Sequence, residues 1–274
     1  MERKMEKAFT HGGVFHADDI FATALLQCLN PDIKIFRGFQ VPDAFDGIVY
    51  DIGFGEYDHH QKNRRVRSNG IPYAAFGLLW EAFGARILGE AEAKKFDEEF
   101  VQPLDLSDNT GQENILSRLI SDRNLTWKES GMNNETRFFE TVKFAREILE
   151  YRFSQILTEK EAFQIVAEKV QNTGKAIIHL EKPMPWKEAV KNSECIYVIY
   201  PSARGGYNIQ AVPDDEDKTK LKMPFPEQWR GKTASELRKI THIKGLNFCH
   251  MSGFLCAADT LDDAYKVAEL AIKR

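Results

Sequence analysis

The chain has 274 residues, 43% apolar and 28% charged, with a formal charge of −4. That apolar content excludes a disordered chain, and the length is generous for one hydrophobic core and comfortable for two. The slightly acidic balance excludes a global attraction to nucleic acid, so a polyanionic partner needs a local basic patch.

In chain order, Ala8–His11 predicts a short strand that breaks at Gly12-Gly13. Asp18–Leu29 carries Ile20, Phe21, Ala24, Leu25 and Cys28 on a helical stripe, has carboxylates at its start and stops at Asn30-Pro31. Ile33–Phe39 alternates as a strand, and Gly47–Gly53 is apolar enough for a central one. Pro72–Phe83 predicts a helix with Pro in its first turn, Glu90–Leu106 another, and Gln112–Ser121 a shorter one. A polar break, Ser130–Arg137, precedes two amphipathic helices, Phe138–Leu157 and Glu159–Val170. A strand-rich region then begins at "TGKAIIHLEK". Cys195–Pro213 is a hairpin around Arg204-Gly205-Gly206, and Leu261–Ile272 is a closing helix.

The expected fold is α/β: a mainly parallel open sheet with flanking helices over residues 1–130, a helical connector over 131–159, and a smaller α/β C-terminal domain over 160–274. The N-terminal "MERKMEKAFTH" lacks an apolar leader run, and no stretch reaches the roughly 18 apolar residues of a membrane span. Cys28, Cys195, Cys249 and Cys256 form no C-x-x-C pair and read as packing residues in a reducing compartment. The expectation is a cytoplasmic protein with no membrane partner.

Ligands of open parallel sheets sit beyond the carboxyl ends of the strands. Three clusters fall at or just after such ends, and a fourth at the end of a helix. In "THGGVFHADD", His11 leaves a strand and His16 opens a helix, with Asp18 two residues on; a turn aims all three at one point. Asp51 follows the next apolar strand and has two oxygens with which to bridge two metals. In "YDHHQKNRRVR", the adjacent His59 and His60 point different ways, so one can bind metal while the other meets phosphate. Asp58 can orient a histidine by accepting its second N–H. Lys62, Arg64, Arg65 and Arg67 follow, four cations in six residues and the densest basic patch of the chain. Guanidinium favours bidentate phosphate contacts. In "LDLSDNTG", Asp105 and Asp108 stand where a helix gives way to a loop. Each residue alone has an ordinary reading as a turn former, cap or solvated charge. Jointly they supply enough imidazoles and carboxylates for two divalent cations, with Mn²⁺ favoured by the carboxylate share. A dinuclear site of that kind serves in-line attack on phosphorus. No Walker A, G-x-S-x-G, G-x-G-x-x-G or H-E-x-x-H competes.

The ordered series "THGGVFHADD", "VYDIG", "YDHHQ" and "LDLSDN" resembles the DHH phosphoesterase superfamily. With "YNIQAVP", "FPEQWRG" and "HMSGFLCAAD" it resembles the melanocyte-proliferating-gene family (UPF0160), also catalogued as "metal-dependent protein hydrolase", over nearly the whole chain. The resemblance implies a two-domain enzyme with a dinuclear Mn²⁺-type centre, with Mg²⁺, Fe²⁺ or Zn²⁺ as alternatives. It places His11, Asp18, Asp51 and His59 at metal-ligand positions, and His16 where most superfamily members carry Asp. It leaves the last acidic ligand open between Asp105 and Asp108. His60 matches the histidine that faces the scissile phosphate, beside Asp58. Arg204, Arg230 and His250 are candidates for gripping substrate from the second domain, with Ser252-Gly253 giving close backbone approach. Two departures stand out: Asp19 replaces a frequent Glu, and the C-terminal glycine-rich motif is reduced to "HMSGF".

The implied activity is a metal-dependent phosphodiesterase, a 3′–5′ exonuclease on RNA or short oligonucleotides, with a homodimer allowed. A small-molecule phosphohydrolase acting on a cyclic dinucleotide or pyrophosphate, and a non-hydrolytic metal-binding protein, are the rivals. Tyr200 or Tyr207 could stack bases, although strand core suits both better.

Overall fold

The computed structural model describes residues 5–129 and 134–273. Residues 130–133 of the expected polar break lie outside them. The chain is α/β and divides into two units, Met1–Leu157 and Thr158–Arg274.

The first unit is built on a parallel sheet in the order β2-β1-β3, with β1 at Lys7–His11, β2 at Lys34–Gly38 and β3 at Ile48–Val49. Helix α1 (Ala17–Leu29) buries Ile20, Phe21, Ala24, Leu25 and Leu26 beneath it and ends at Asn30, as its stripe predicts. The predicted strand Gly47–Gly53 shrinks to two residues. Asp51 (φ 54°), Gly53 (φ 86°) and Phe54 (φ 57°) enter the left-handed region, and the chain turns away from the sheet.

Helix α2 (Ala75–Phe83) starts three residues later than Pro72 suggests. Its first amides are capped from outside: Ala75 and Phe76 donate to the two carboxylate oxygens of Asp18, at 2.9 and 2.7 Å. Short helix α3 (Ala85–Leu88) follows. The single helix expected over Glu90–Leu106 is interrupted. α4 (Glu90–Phe96) widens into a π-helical turn, Asp97–Val101, before α5 (Gln102–Thr110), and α6 spans Ile115–Ser121. The core is aromatic: Phe21 meets Phe76 and Phe100, while Trp80 packs on Phe96 and Phe153. Each such ring contributes about 1.5–3 kcal/mol by leaving water.

The two predicted amphipathic helices are one, α7 (Asn134–Thr173). Neither Pro nor Gly stands between them to break the hydrogen-bond ladder. Phe138, Val142, Ala145, Leu149 and Phe153, at helical spacing, enter the first core.

The second unit holds a mixed sheet in the order β4-β5-β6-β8-β7: β4 (Ile177–His179), β5 (Tyr197–Pro201), β6 (Tyr207–Ala211), β7 (Leu246–Cys249) and β8 (Leu255–Ala258). The β5–β6 hairpin turns at Arg204-Gly205-Gly206 as predicted. Helix α9 (Leu261–Ile272) packs through Ala264, Val267, Ala268 and Ala271. Helix α8 (Ala234–Thr241), β7 and β8 are absent from the sequence expectation. α8 had a readable start: the Glu236 amide donates to Thr233 Oγ1, and the Glu236 carboxylate accepts from the Thr233 amide.

Candidate metal centre

Five of the predicted ligands, His11, Asp18, Asp51, His59 and Asp108, gather; β1 and β3 are neighbours, and their carboxyl ends bring His11 and Asp51 to one edge. His11 is the last residue of β1. Its Nδ1 lies 3.0 Å from the Gly12 carbonyl, which can only accept, so Nδ1 donates. Nε2 is then presented to Asp51 Oδ2 at 3.2 Å and Asp19 Oδ2 at 3.3 Å. Asp51 follows β3, and its Oδ1 lies 3.1 Å from His59 Nε2. The same nitrogen is 3.4 Å from Asp108 Oδ2 and 3.8 Å from Asp18 Oδ2. Asp18, His59 and Asp108 thus form one group of donors, and Asp51, His59 and His60 another. All of these but Asp18 line a cavity of about 1120 Å³.

His16 caps α1, lines the same cavity and keeps its ring 6.1 Å from that of His11. His60 is 57% exposed at the cavity wall. Asp58 beneath it is buried and fully engaged. Oδ1 accepts from His60 Nδ1 at 2.7 Å and from the His60 amide, and Oδ2 accepts from the Phe54 amide at 2.6 Å.

The two aspartates left open by the sequence part company. Asp108 reaches the cavity from the last turn of α5. Asp105, 1% exposed, turns into the protein, 2.7 Å from an Arg67 guanidinium nitrogen, and accepts the Gly77 amide at 3.2 Å. Any side chain at Gly77 would overlap Asp105 Oδ2, so glycine is what lets α2 and α5 approach. The basic patch divides too. Lys62 and Arg64 line the cavity, and Arg64 donates to Asn109 Oδ1 at 3.1 Å. Arg65 leaves it, pairing with Glu81 beside Tyr73. Arg67 is not surface charge at all: it is buried between Asp97 and Asp105.

In the second unit the β7–β8 turn brings Arg230, His250, Ser252 and Gly253 together. His250 Nδ1 lies 2.9 Å from Ser252 Oγ, and Gly253 (φ 72°) leaves room for the Arg230 side chain, which donates to the Phe225 carbonyl. Arg204 does not join them. The register Tyr207↔Ala258 puts its hairpin at the opposite end of β8.

Three contributors were given no site role by the sequence reading. Asp19, noted there only as a departure from Glu, contacts His11. Asn109 braces His59, its Oδ1 3.4 Å from Nδ1. Arg37, on β2, donates to the carbonyls of His11 (3.1 Å) and Gly13 (3.2 Å) and stacks on Phe138. Asn109 had a signal, its adjacency to Asp108. Arg37 had none, because an arginine on an alternating strand reads as solvent-facing.

Charge is concentrated here. Burial pushes Asp19 up to about 7, partly offset by His11. Burial, then the charges of Asp51 and Asp108, push Asp18 well above the carboxylate range, and burial raises Asp108 against the pull of His59. Burial also acts against ionised Asp51, but hydrogen bonds from His11 and His59 outweigh it and hold Asp51 down at about 2. Burial disfavours charged His11, yet the Asp51 hydrogen bond and the Asp19 charge raise it to about 9; His59 is raised for similar reasons. Four carboxylates around two imidazoles, one with an oxygen (Asp19 Oδ2) that is buried without a hydrogen bond, fit a divalent cation, whose charge relieves their mutual repulsion.

A family model described as an uncharacterised protein family (UPF0160), MYG1_exonuc, matches residues 7–272. Among curated proteins, the chain is 28% identical to the human MYG1 exonuclease over 96% of this chain and 85% of that one. It is 27% identical to the MYG1 exonuclease of Rattus norvegicus over 96% and 84%. To the MYG1 protein of Chlamydia trachomatis it is 26% identical over 97% and 96%. Among solved structures, RecJ in complex with Mn²⁺ from Thermus thermophilus is similar at 12% identity and a TM-score of 0.29. The match covers 99% of this chain and about half (53%) of that one, a likeness too distant to bear on the site.

Proposed function

We propose, for a chain that belongs to the UPF0160 (MYG1_exonuc) family, a metal-dependent phosphodiesterase that removes nucleotides from an end of RNA or short oligonucleotides in the 3′–5′ direction. The observation that carries this reading is Asp51, one carboxylate shared between His11 and His59 at 3.2 and 3.1 Å, with Asp18 and Asp108 within reach of the same His59 nitrogen. The name exonuclease on the rat and human relatives supports it.

His11, His16 and Asp51 would hold one cation, and Asp18, Asp51, His59 and Asp108 a second, with Mn²⁺ the metal this donor set favours. Bound there, divalent cations supply Lewis acidity toward a phosphoryl oxygen and a water acidic enough to ionise near neutral pH. The chain's own residues do the rest. Asp58 holds His60 through Nδ1, fixing its tautomer and leaving Nε2 to meet a phosphoryl oxygen or a departing one. Arg64 and Lys62, on the cavity lining, offset phosphate charge, and Asn109 keeps Arg64 and His59 in place. Arg230, His250, Ser252 and Gly253 of the second unit are proposed as a further substrate contact.

The test is a panel: labelled RNA, single-stranded DNA, a dinucleotide, a cyclic dinucleotide and pyrophosphate, each incubated with the purified protein and Mn²⁺. Stepwise shortening of RNA that stops with a chelator, and that His59→Ala abolishes, is the expected result. Turnover of pyrophosphate alone would make the protein a small-molecule phosphohydrolase. Retained Mn²⁺ with no turnover at all would remove it from the hydrolases.

A further inference from the structure

We infer that Phe54 is a base-stacking subsite on the lining of this cavity, and that the substrate therefore carries a nucleobase rather than being a base-free phosphate. The inference rests on the phosphodiesterase reading and narrows its substrate class.

Phe54 lines the same cavity as Asp51, His59 and His60, and the residue is 71% exposed. A single exposed apolar residue is ordinary, so what sets Phe54 apart is that it lines this cavity on a held backbone. Among the described residues, the other strongly exposed aromatics, Phe39, Trp127 and Tyr151, lie outside that lining.

The exposure is built in. Phe54 has φ 57° and follows Gly53 at φ 86°, a left-handed pair that a bulky side chain ordinarily avoids. The backbone is held in it by the Phe54 amide, which donates to Asp58 Oδ2 at 2.6 Å. The other oxygen of Asp58 holds His60 at 2.7 Å. One buried carboxylate therefore holds both the imidazole proposed to face the phosphate and the backbone that carries Phe54. Val14, from the turn after β1, adds a second exposed apolar side chain to the lining.

A nucleotide has the matching layout, a phosphate joined through a sugar to a flat base. The cations and imidazoles of the cavity suit the first, and a phenyl face suits the second. Base–aromatic stacking tolerates any base, as end-trimming of mixed sequences requires. Pyrophosphate and other base-free phosphates gain nothing from the ring.

The experiment uses a short phosphorothioate oligonucleotide ending in 2-aminopurine, whose fluorescence falls on stacking, with the full-length protein and Mn²⁺. Wild type is expected to quench and bind it. Phe54→Ala should weaken binding by about five- to a hundredfold and lose the quench, and Phe54→Trp should restore both. Replacing the terminal base by an abasic residue should weaken wild type by the same factor and Phe54→Ala no further, because the two changes remove one interaction. Equal affinity of wild type and Phe54→Ala, or losses that simply add, would overturn the inference. So would binding of pyrophosphate without binding of the oligonucleotide. A Phe54→Ala protein that also loses Mn²⁺, with no rescue by Trp, would make Phe54 part of the loop's framework and refute stacking. Turnover of RNA with a KM indifferent to Phe54→Ala would sink the stacking and leave the phosphodiesterase reading standing. A quench with no turnover on any phosphoester would do the reverse.

Discussion

Asp51 Oδ2 lies 3.2 Å from His11 Nε2 while Asp51 Oδ1 lies 3.1 Å from His59 Nε2, so one carboxylate spans the two imidazoles of the centre. Asn accepts the left-handed backbone of this site, so Asp51→Asn removes the charge without forcing the turn. Mn²⁺ affinity, read by calorimetry, should fall by about a hundredfold or more, and turnover with it, while the far-UV dichroism keeps its wild-type form.

Asp108 and Asp105 should separate cleanly by assay. Asp108→Asn should weaken Mn²⁺ binding and barely move the urea midpoint. Asp105→Asn leaves the Arg67 charge with Asp97 alone, in the interior. Breaking one side of a buried pair costs about 3–5 kcal/mol, and Asp97 keeps the loss at the lower end. Equal effects of both variants on Mn²⁺ affinity would contradict this division.

The pH dependence should invert with metal. In metal-free protein, Asp19 (about 7) and His11 (about 9) both stand above their ordinary values, so the folded state binds more protons than the unfolded one between about pH 4 and 9. Stability must therefore fall as pH rises through that window. Asp51, held at about 2, acts the other way, but its contribution is lost only below about pH 4. Thermal midpoints without metal should be higher at pH 5.5 than at pH 8.5. Ligation needs neutral His11, so Mn²⁺ should release protons on binding and bind more tightly at pH 8.5, reversing the order of the midpoints in its presence.

Arg37 is expected to tune the centre from behind. Arg37→Met keeps a side chain for Phe138 to pack on but removes the donors to the His11 and Gly13 carbonyls. Mn²⁺ affinity should drop by about ten- to a hundredfold, with a unit that still melts cooperatively. An unchanged affinity would make Arg37 a packing residue only.

The candidate donors that gather around Asp51 were legible because their chemistry is local. His11 ends β1 and Asp51 follows β3 on the open edge that parallel strands share, while the Asp58-His59-His60 run lies in the loop beyond, next to the isolated bridge between Tyr50 and Tyr57. Asp105 against Asp108 was not legible, since both are aspartates on one helix and only the position of Arg67, some 40 residues earlier in the chain, decides which faces inward. The length of the central strand was misjudged for a related reason: the apolar run continues through Ile52, but three positive φ angles bend it after Val49. The second unit was read least well. Its β7 and β8 are four residues each and leave too short a run for alternation to register.

The wide turn at Asp97–Val101 has a consequence for descent as well as for geometry. Each residue of an α-helix swings its side chain by about 100°, so one residue removed from this turn would rotate everything after it by roughly that angle relative to α4. Arg67 would lose its partner across the turn, and Asp108 with Asn109 would sweep off the wall that His59 occupies. A one-residue deletion here should therefore be as damaging as the loss of a donor, although it touches none, and length in this stretch should be guarded more tightly than residue identity.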